Sequence, residues 1–265
     1  MAISKISSLT INNGIQKSQT VSDKYATVLN PFNDNSLKHL IDFDQENFGD
    51  SVGNLSFTVS GVKYAPGVNG NGKSAVIIPD NGGYADTSTT LSGTGAISYS
   101  VWVYTNSFSG NYRVPTRQLL LGVGNFGTNN QNIDLEANCY DTSYAAPNAD
   151  GFSNQYGIHF WGNGVSFDKK VIYDEWVHIV FSYDGGGTFN SSTCRMWING
   201  KGPYYPNRSF TATIPSNYRV CIGRRYYTAG GADLPSNGKL DKIRIFNKAL
   251  TQGEALYLYN NGVAI

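Results

Sequence analysis

Charge is scarce in this chain. Only 15% of its 265 residues are Asp, Glu, Lys or Arg, and the formal net charge is +1. Typical domains carry about a quarter. A nucleic-acid partner would need a basic stripe to neutralise phosphates, and here the charges are scattered singly, with no basic or acidic tail. Apolar runs are short. None approaches the roughly 20 residues that span a bilayer as a helix. The opening MAISKISSLTINNGIQKSQT lacks the apolar core of a signal peptide. Neither nucleic acid nor membrane is therefore expected as a partner. Cysteine is sparse too. Cys139, Cys194 and Cys221 are an odd, widely spaced set, which matches neither a disulfide framework nor a zinc pattern. They read as buried thiols, with one bridged pair left open if the compartment is oxidising. Methionine (2 residues) and Ala- or Leu-rich runs are rare, which argues against a helical protein.

Glycine (30), tyrosine (18) and phenylalanine (13) are abundant. Glycine supplies positive-φ turns, and aromatic residues favour pleated, half-buried surfaces. Ile97 to Tyr104 alternates cleanly, with Ile97, Tyr99, Val101 and Val103 on one face. Segments 117–123, 156–161, 176–183, 194–199 and 218–223 read as further strands. Several are apolar on both faces, as when sheets pack on sheets. NGNGK, DNGG, DGGG and ING lie between them as turns. One helix is expected, at the end. Thr251 and Glu254 form a capping box, Ala255, Leu256, Tyr257 and Tyr259 follow, and Gly262 is the expected C-cap. Residues 1–35 are rich in Ser, Thr, Asn and Lys and lack the aromatics of the body. They read as an N-terminal arm before a domain at 36–265.

Four stretches, in order, carry a family resemblance. Phe43-Asp44 followed by Asp50-Ser-Val-Gly-Asn54 is similar to an "FD…D-x-SGN" opening. Ile97 to Tyr104 is similar to an "sISxWV" strand. Glu175 to Gly185, then Arg195 to Gly200, resembles "W-x-HVAxxYDG…xxYVNG". Gly238 to Leu250, then Glu254, resembles "GxIDEVRIYNRALSxxEI". These patterns belong to the laminin-G-like, concanavalin A-like lectin/glucanase superfamily. The resemblance implies an all-β fold: a two-sheet antiparallel jelly-roll sandwich with one short C-terminal helix, its first and last strands side by side. It does not imply one function, because this fold hosts lectins, hydrolases, adhesion modules and viral coat accessories.

Candidate sites follow from particular residues. Alternation along 240–247 places Asp241 on the face of Ile243 and Ile245, where a carboxylate needs a partner. Relatives often hold calcium there, so the resemblance makes Asp241, Asp50 and Asp44 candidate ligands of a structural calcium ion. The competing expectation is that Asp241 pairs with Lys, Arg or backbone amides. Lys242 stands where the family usually has an acid. Hydrolases of the superfamily carry E-x-D-x-E or E-x-D-x-x-E on one strand. Asp134 and Glu136 share a face here, but Gln131 and Asn132 precede them and a third acid is missing. Two solvated strand acids, and no enzyme, is the expectation. His39, His159 and His178 read as half-buried histidines with one hydrogen bond each. Sugars dock on aromatic faces with polar groups alongside. Tyr204, Tyr205, Tyr226, Tyr227, Arg224 and Arg225 are the candidate glycan platform. Interfaces favour the same residue types, so a subunit contact stays open.

Two functions compete most closely. The first is a non-catalytic structural protein of a phage virion: capsid decoration, head fibre or tail-surface protein. It would be made in the host cytoplasm and joined to other virion proteins or to itself through the arm, with host-surface attachment through a glycan. The second is a carbohydrate-binding or adhesion module. A glycoside hydrolase is a weak third.

Overall fold

The computed structural model describes residues 31–68, 70, 73–77, 83–87, 91–92, 95–107, 118–124, 131–139, 154–160, 163–211, 217–226, 232–233 and 237–260, with short strands at 10–11 and 14–15. β1 (Thr10–Ile11) and β2 (Gly14–Ile15) pair with each other. β3 (Leu37–Ile41) opens the body. β4 (Phe57–Ser60), β5 (Lys63–Pro66), β6 (Lys73–Ile77), β7 (Tyr84–Thr87) and β8 (Leu91–Ser92) follow. The longer strands are β9 (Ile97–Thr105), β10 (Gln118–Gly124), β11 (Asn132–Ala137), β12 (Gln155–Phe160), β13 (Asn163–Lys170) and β14 (Trp176–Tyr183). Then come β15 (Thr188–Phe189), β16 (Cys194–Ile198), β17 (Lys201–Tyr204), β18 (Phe210–Thr211), β19 (Asn217–Ile222), β20 (Arg225–Tyr226), β21 (Ala232–Asp233), β22 (Gly238–Phe246) and helix α1 (Gln252–Tyr259).

Two eight-stranded antiparallel sheets form a jelly-roll sandwich. The first runs β13-β12-β11-β10-β19-β7-β4, with β8 on β19. The second runs β17-β16-β14-β9-β22-β6-β5, with β3 on β22. The first strand of the body thus lies beside the last, as the resemblance implies. The core fills the space between the sheets. Leu121, Val123, Leu135, Ile158, Phe167 and Ile222 face Tyr99, Val101, Ile179, Phe181, Met196 and Ile243, all buried. Burying such side chains is worth about 1.5–3 kcal/mol each. Cys139, Cys194 and Cys221 are buried free thiols.

The second sheet also buries apolar residues on its outer face, because α1 covers part of it. Leu40, Val180, Trp197 and Phe246 pack there against Leu250, Ala255 and Leu258. Two strand serines fasten the chain entering α1. Ser98 Oγ donates to the Lys248 carbonyl at 2.6 Å, and the Leu250 amide donates to Ser182 Oγ at 2.9 Å. Thr251 and Glu254 close the expected capping box. The helix ends on Asn260 as its C-cap, not on Gly262, which lies outside the described residues. Phe32 and Asp34, within the segment read as an arm, sit on the body. Phe32 packs on Phe246 and Tyr257, and Lys248 Nζ reaches Asp34 Oδ2 at 2.5 Å. Residues 1–30 of the expected arm, the paired strands at 10–11 and 14–15 apart, lie outside the described residues.

Candidate functional site

The first sheet has one apolar face and one polar face, and strand register builds the polar one. Directly opposed residues share a face. Asp86 opposes Cys221, Cys221 opposes Gly122, Gly122 opposes Asp134, Asp134 opposes His159, and His159 opposes Gly164. One row therefore crosses six strands on the side away from the core. The next row runs Leu119–Glu136–Gly157–Ser166. Asp134 and Glu136 are 0% exposed and His159 is 7% exposed. This corrects the expectation of solvated acids and of a half-buried His159. Alternation gives the side a residue faces, not whether that side is covered. Asn132 Nδ2 donates to Asp134 Oδ2 at 2.7 Å, and His159 Nδ1 lies 3.9 Å from the same oxygen. One donor atom from each of Asp134, Glu136 and His159 lies within 4.8 Å of the other two.

At one end of the row, Arg224 stacks 3.1 Å from the Tyr84 ring centroid and contacts Asp86 at 3.2 Å. Burial raises the pKa of Asp86, and Arg224 and Cys221 oppose that rise. Arg224 is thus held by its own sheet. Only the backbones of Arg225 and Tyr226 are described, as β20 paired with β21, and Tyr227 lies outside the described residues.

Asp241 lies on a different face of the sandwich from the one alternation suggests. Asp241 opposes Trp102 and Arg244 opposes Ser100, so Lys242 and Ile243 together face Val101. This bulge, with Lys242 at φ 48°, shifts the parity. Leu240, Ile243 and Ile245 point into the core, while Asp241 shares the outer face with Trp102. Asp241 Oδ2 accepts from the Val68 amide at 2.9 Å, and its buried Oδ1 accepts no hydrogen bond among the described residues. Burial pushes its pKa up to about 7, against the Val68 amide and Lys242, and Asp44 pushes it the same way. Buried Arg244 lies nearby and is drawn to Asp241 and Asp42. Asp50 is occupied elsewhere. Its oxygens accept from the Leu40, Val52, Gly53 and Leu55 amides and lie 2.6 Å from His39 Nδ1. Burial opposes its ionisation, but these partners hold its pKa at about 2. Asp44 Oδ1 accepts from the Lys73 amide at 3.1 Å, and Asp50 organises its own loop. His178 is fully buried, with Nε2 2.9 Å from Ser100 Oγ. Burial and the Arg244 charge push its pKa down to about 3.

The aromatic edge is a third arrangement. Tyr204 ends β17 and packs partly on the core, while Tyr205 beside it is 47% exposed. The following residues are fastened along β13. Asn207 exchanges hydrogen bonds with Ser166, and Arg208 Nε donates to the Gly164 carbonyl at 2.8 Å. Lys169 Nζ lies 5.6 Å from the Tyr204 ring centroid. An exposed ring beside a fixed backbone segment offers a face on which a sugar can stack.

A sequence model described as the concanavalin A-like lectin/glucanases superfamily, Laminin_G_3, matches residues 79–255. The chain belongs to this superfamily. Solved structures agree with the fold. Domain 4 of AbnA, a GH43 extracellular arabinanase from Geobacillus stearothermophilus in complex with arabinotriose, aligns with TM-score 0.59 and 18% identity. The alignment covers 84% of this chain and 98% of that one. The binding domain of Paraclostridial Mosquitocidal Protein 1 aligns with TM-score 0.57 and 14% identity, over 84% and 52%. The binding domain of botulinum neurotoxin serotype D/C aligns with TM-score 0.58 and 14% identity, over 86% and 52%. The chain thus spans about half the length of the two toxin domains. No curated protein matches its sequence.

Proposed function

We propose that the protein is a non-catalytic glycan-binding module whose sugar stacks on the Tyr204–Tyr205 edge. The observation that carries this reading is Tyr205: a large aromatic left 47% exposed, directly before a segment fastened to β13 through Asn207 and Arg208. The match over 98% of an arabinanase domain solved with arabinotriose supports it, as do the matches to toxin binding domains. A non-catalytic role is supported by the polar face. Asn132 occupies the first acid position of the E-x-D-x-E pattern and donates to Asp134. Asp134 and Glu136 are fully buried, whereas hydrolysis needs two carboxyls that reach the bond from its two sides.

Calcium held by Asp241 and Asp44 belongs to the same proposal. It would supply positive charge to the Asp241 oxygen that accepts no hydrogen bond among the described residues. Elemental mass spectrometry of protein purified without chelator tests it, and absence of stoichiometric calcium contradicts it. Display on a phage particle through residues 1–35 is the wider setting read from sequence, and co-sedimentation with particles tests that setting. The binding proposal itself is tested on a glycan array that includes arabino-oligosaccharides and sialylated glycans. A reproducible hit, with no release of reducing sugar, supports it. An array with no hit, or turnover of any bound glycan, contradicts it.

A further inference from the structure

Asp134, Glu136 and His159 bring metal-ligand chemistry together where neither the fold nor the glycan reading requires it. Register fixes the arrangement. Asp134 and Glu136 are two apart on β11 and share a face, and His159 stands directly opposite Asp134 on β12. Their nearest donor atoms lie within 4.8 Å of one another, and the three residues are 0%, 0% and 7% exposed. Two carboxylates and an imidazole gathered this closely and this deeply are ligand types that one divalent ion can hold together. The His159 Nδ1 to Asp134 Oδ2 distance of 3.9 Å is too long for a hydrogen bond. A zinc-class ion about 2.0–2.2 Å from each ligand would hold such atoms about 3.0–3.6 Å apart. Donor atoms at the 4.8 Å limit therefore need to close by about 1.2–1.8 Å.

We propose that Asp134, Glu136 and His159 bind one divalent ion of the zinc class. One imidazole with two carboxylates and no thiolate suits zinc better than calcium or magnesium, which take oxygen ligands. Cys221 stands on the same row but beyond Gly122. Asn132 holds the Asp134 carboxylate at 2.7 Å, the kind of outer contact that orients a metal-binding acid. Three protein ligands leave a position for water or a further group. The ion would cross-link β11 to β12 on the polar face. This site is separate from the Asp241–Asp44 corner and independent of glycan binding.

The test is calorimetric titration of chelator-stripped full-length protein with Zn2+, with Ca2+ in parallel, followed by X-ray absorption on the zinc-loaded wild type. The expected result is one Zn2+ per chain, unaffected by Ca2+, in a shell of one imidazole nitrogen and oxygen neighbours. His159→Gln should weaken binding at least about 100-fold, and Asn132→Ala about 10–100-fold. No stoichiometric zinc, a shell containing sulfur or several imidazoles, or undiminished binding by folded His159→Gln each overturns the proposal. If His159→Gln fails to fold by circular dichroism, the wild-type absorption spectrum decides.

Discussion

Replacing Asp241 by Asn should flatten the pH dependence of stability in chelator. The folded group has its pKa raised from 3.8 to about 7, chiefly by burial. A raised pKa means that the folded state holds the proton more tightly than the unfolded state. The resulting stability is full below about pH 4 and is lost as pH rises through about 7. Three pKa units at about 1.4 kcal/mol each give roughly 4 kcal/mol in all. About one unit is already lost at pH 5, which leaves roughly 3 kcal/mol to be lost between pH 5 and pH 8. Asn can still accept from the Val68 amide, but it does not titrate. Its buried NH2 replaces an oxygen that accepts no hydrogen bond among the described residues, and an unsatisfied donor there costs about 1–3 kcal/mol at every pH. The assay is urea unfolding in EDTA at pH 5 and pH 8, followed by tryptophan fluorescence. The wild type should lose roughly 3 kcal/mol across that range and Asp241→Asn should not, so the gap between them narrows or reverses at pH 8. Calcium should restore stability to the wild type alone. Equal pH slopes in the two proteins would refute the reasoning.

His178 has its pKa lowered from 6.5 to about 3, so its contribution is full above about pH 6.5 and is lost as pH falls towards 3. Its imidazole resonances should stay those of the neutral ring at pH 5, and a midpoint near 6 would contradict the burial described. Thr251→Ala removes the cap of α1 and should cost about 1 kcal/mol, seen as a drop of about 2–4 °C in Tm. Gly157→Ala would place a Cβ 2.4 Å from Cys139 Cβ and 2.5 Å from the Val165 carbonyl oxygen. Overpacking of this kind costs about 1–3 kcal/mol. A Gly157→Ala protein with unchanged Tm would show that β12 and Cys139 are not in contact.

The strands and the helix start were readable because each depends on neighbours in sequence. The capping box at 251–254 acts within a motif that the family pattern already marks. What escaped reading depends on pairing across the sheets. The extra residue at Lys242 becomes visible only when β22 is laid against β9, and it moves Asp241 off the core face. His159 is 25 positions from Asp134, and only the β11–β12 register brings them opposite. A usable signal was present: Tyr156, Ile158 and Phe160 alternate with Gly157 and His159, which sends the histidine away from the core. Asp50 looked like a calcium ligand by its place in the opening motif. Four amides and His39 occupy it instead, and loop closure of that kind leaves no periodic trace. The exposure of Tyr205 likewise depends on how the segment after β17 is tied to β13.

Titration of the best array glycan into the wild type and Tyr205→Ala, with circular dichroism to confirm that both fold, tests the central claim most directly. The account predicts that Tyr205→Ala binds at least about tenfold more weakly, a loss of about 1.4 kcal/mol or more, while the glycan stays intact. Equal affinity in the two proteins would place the sugar elsewhere and contradict the account.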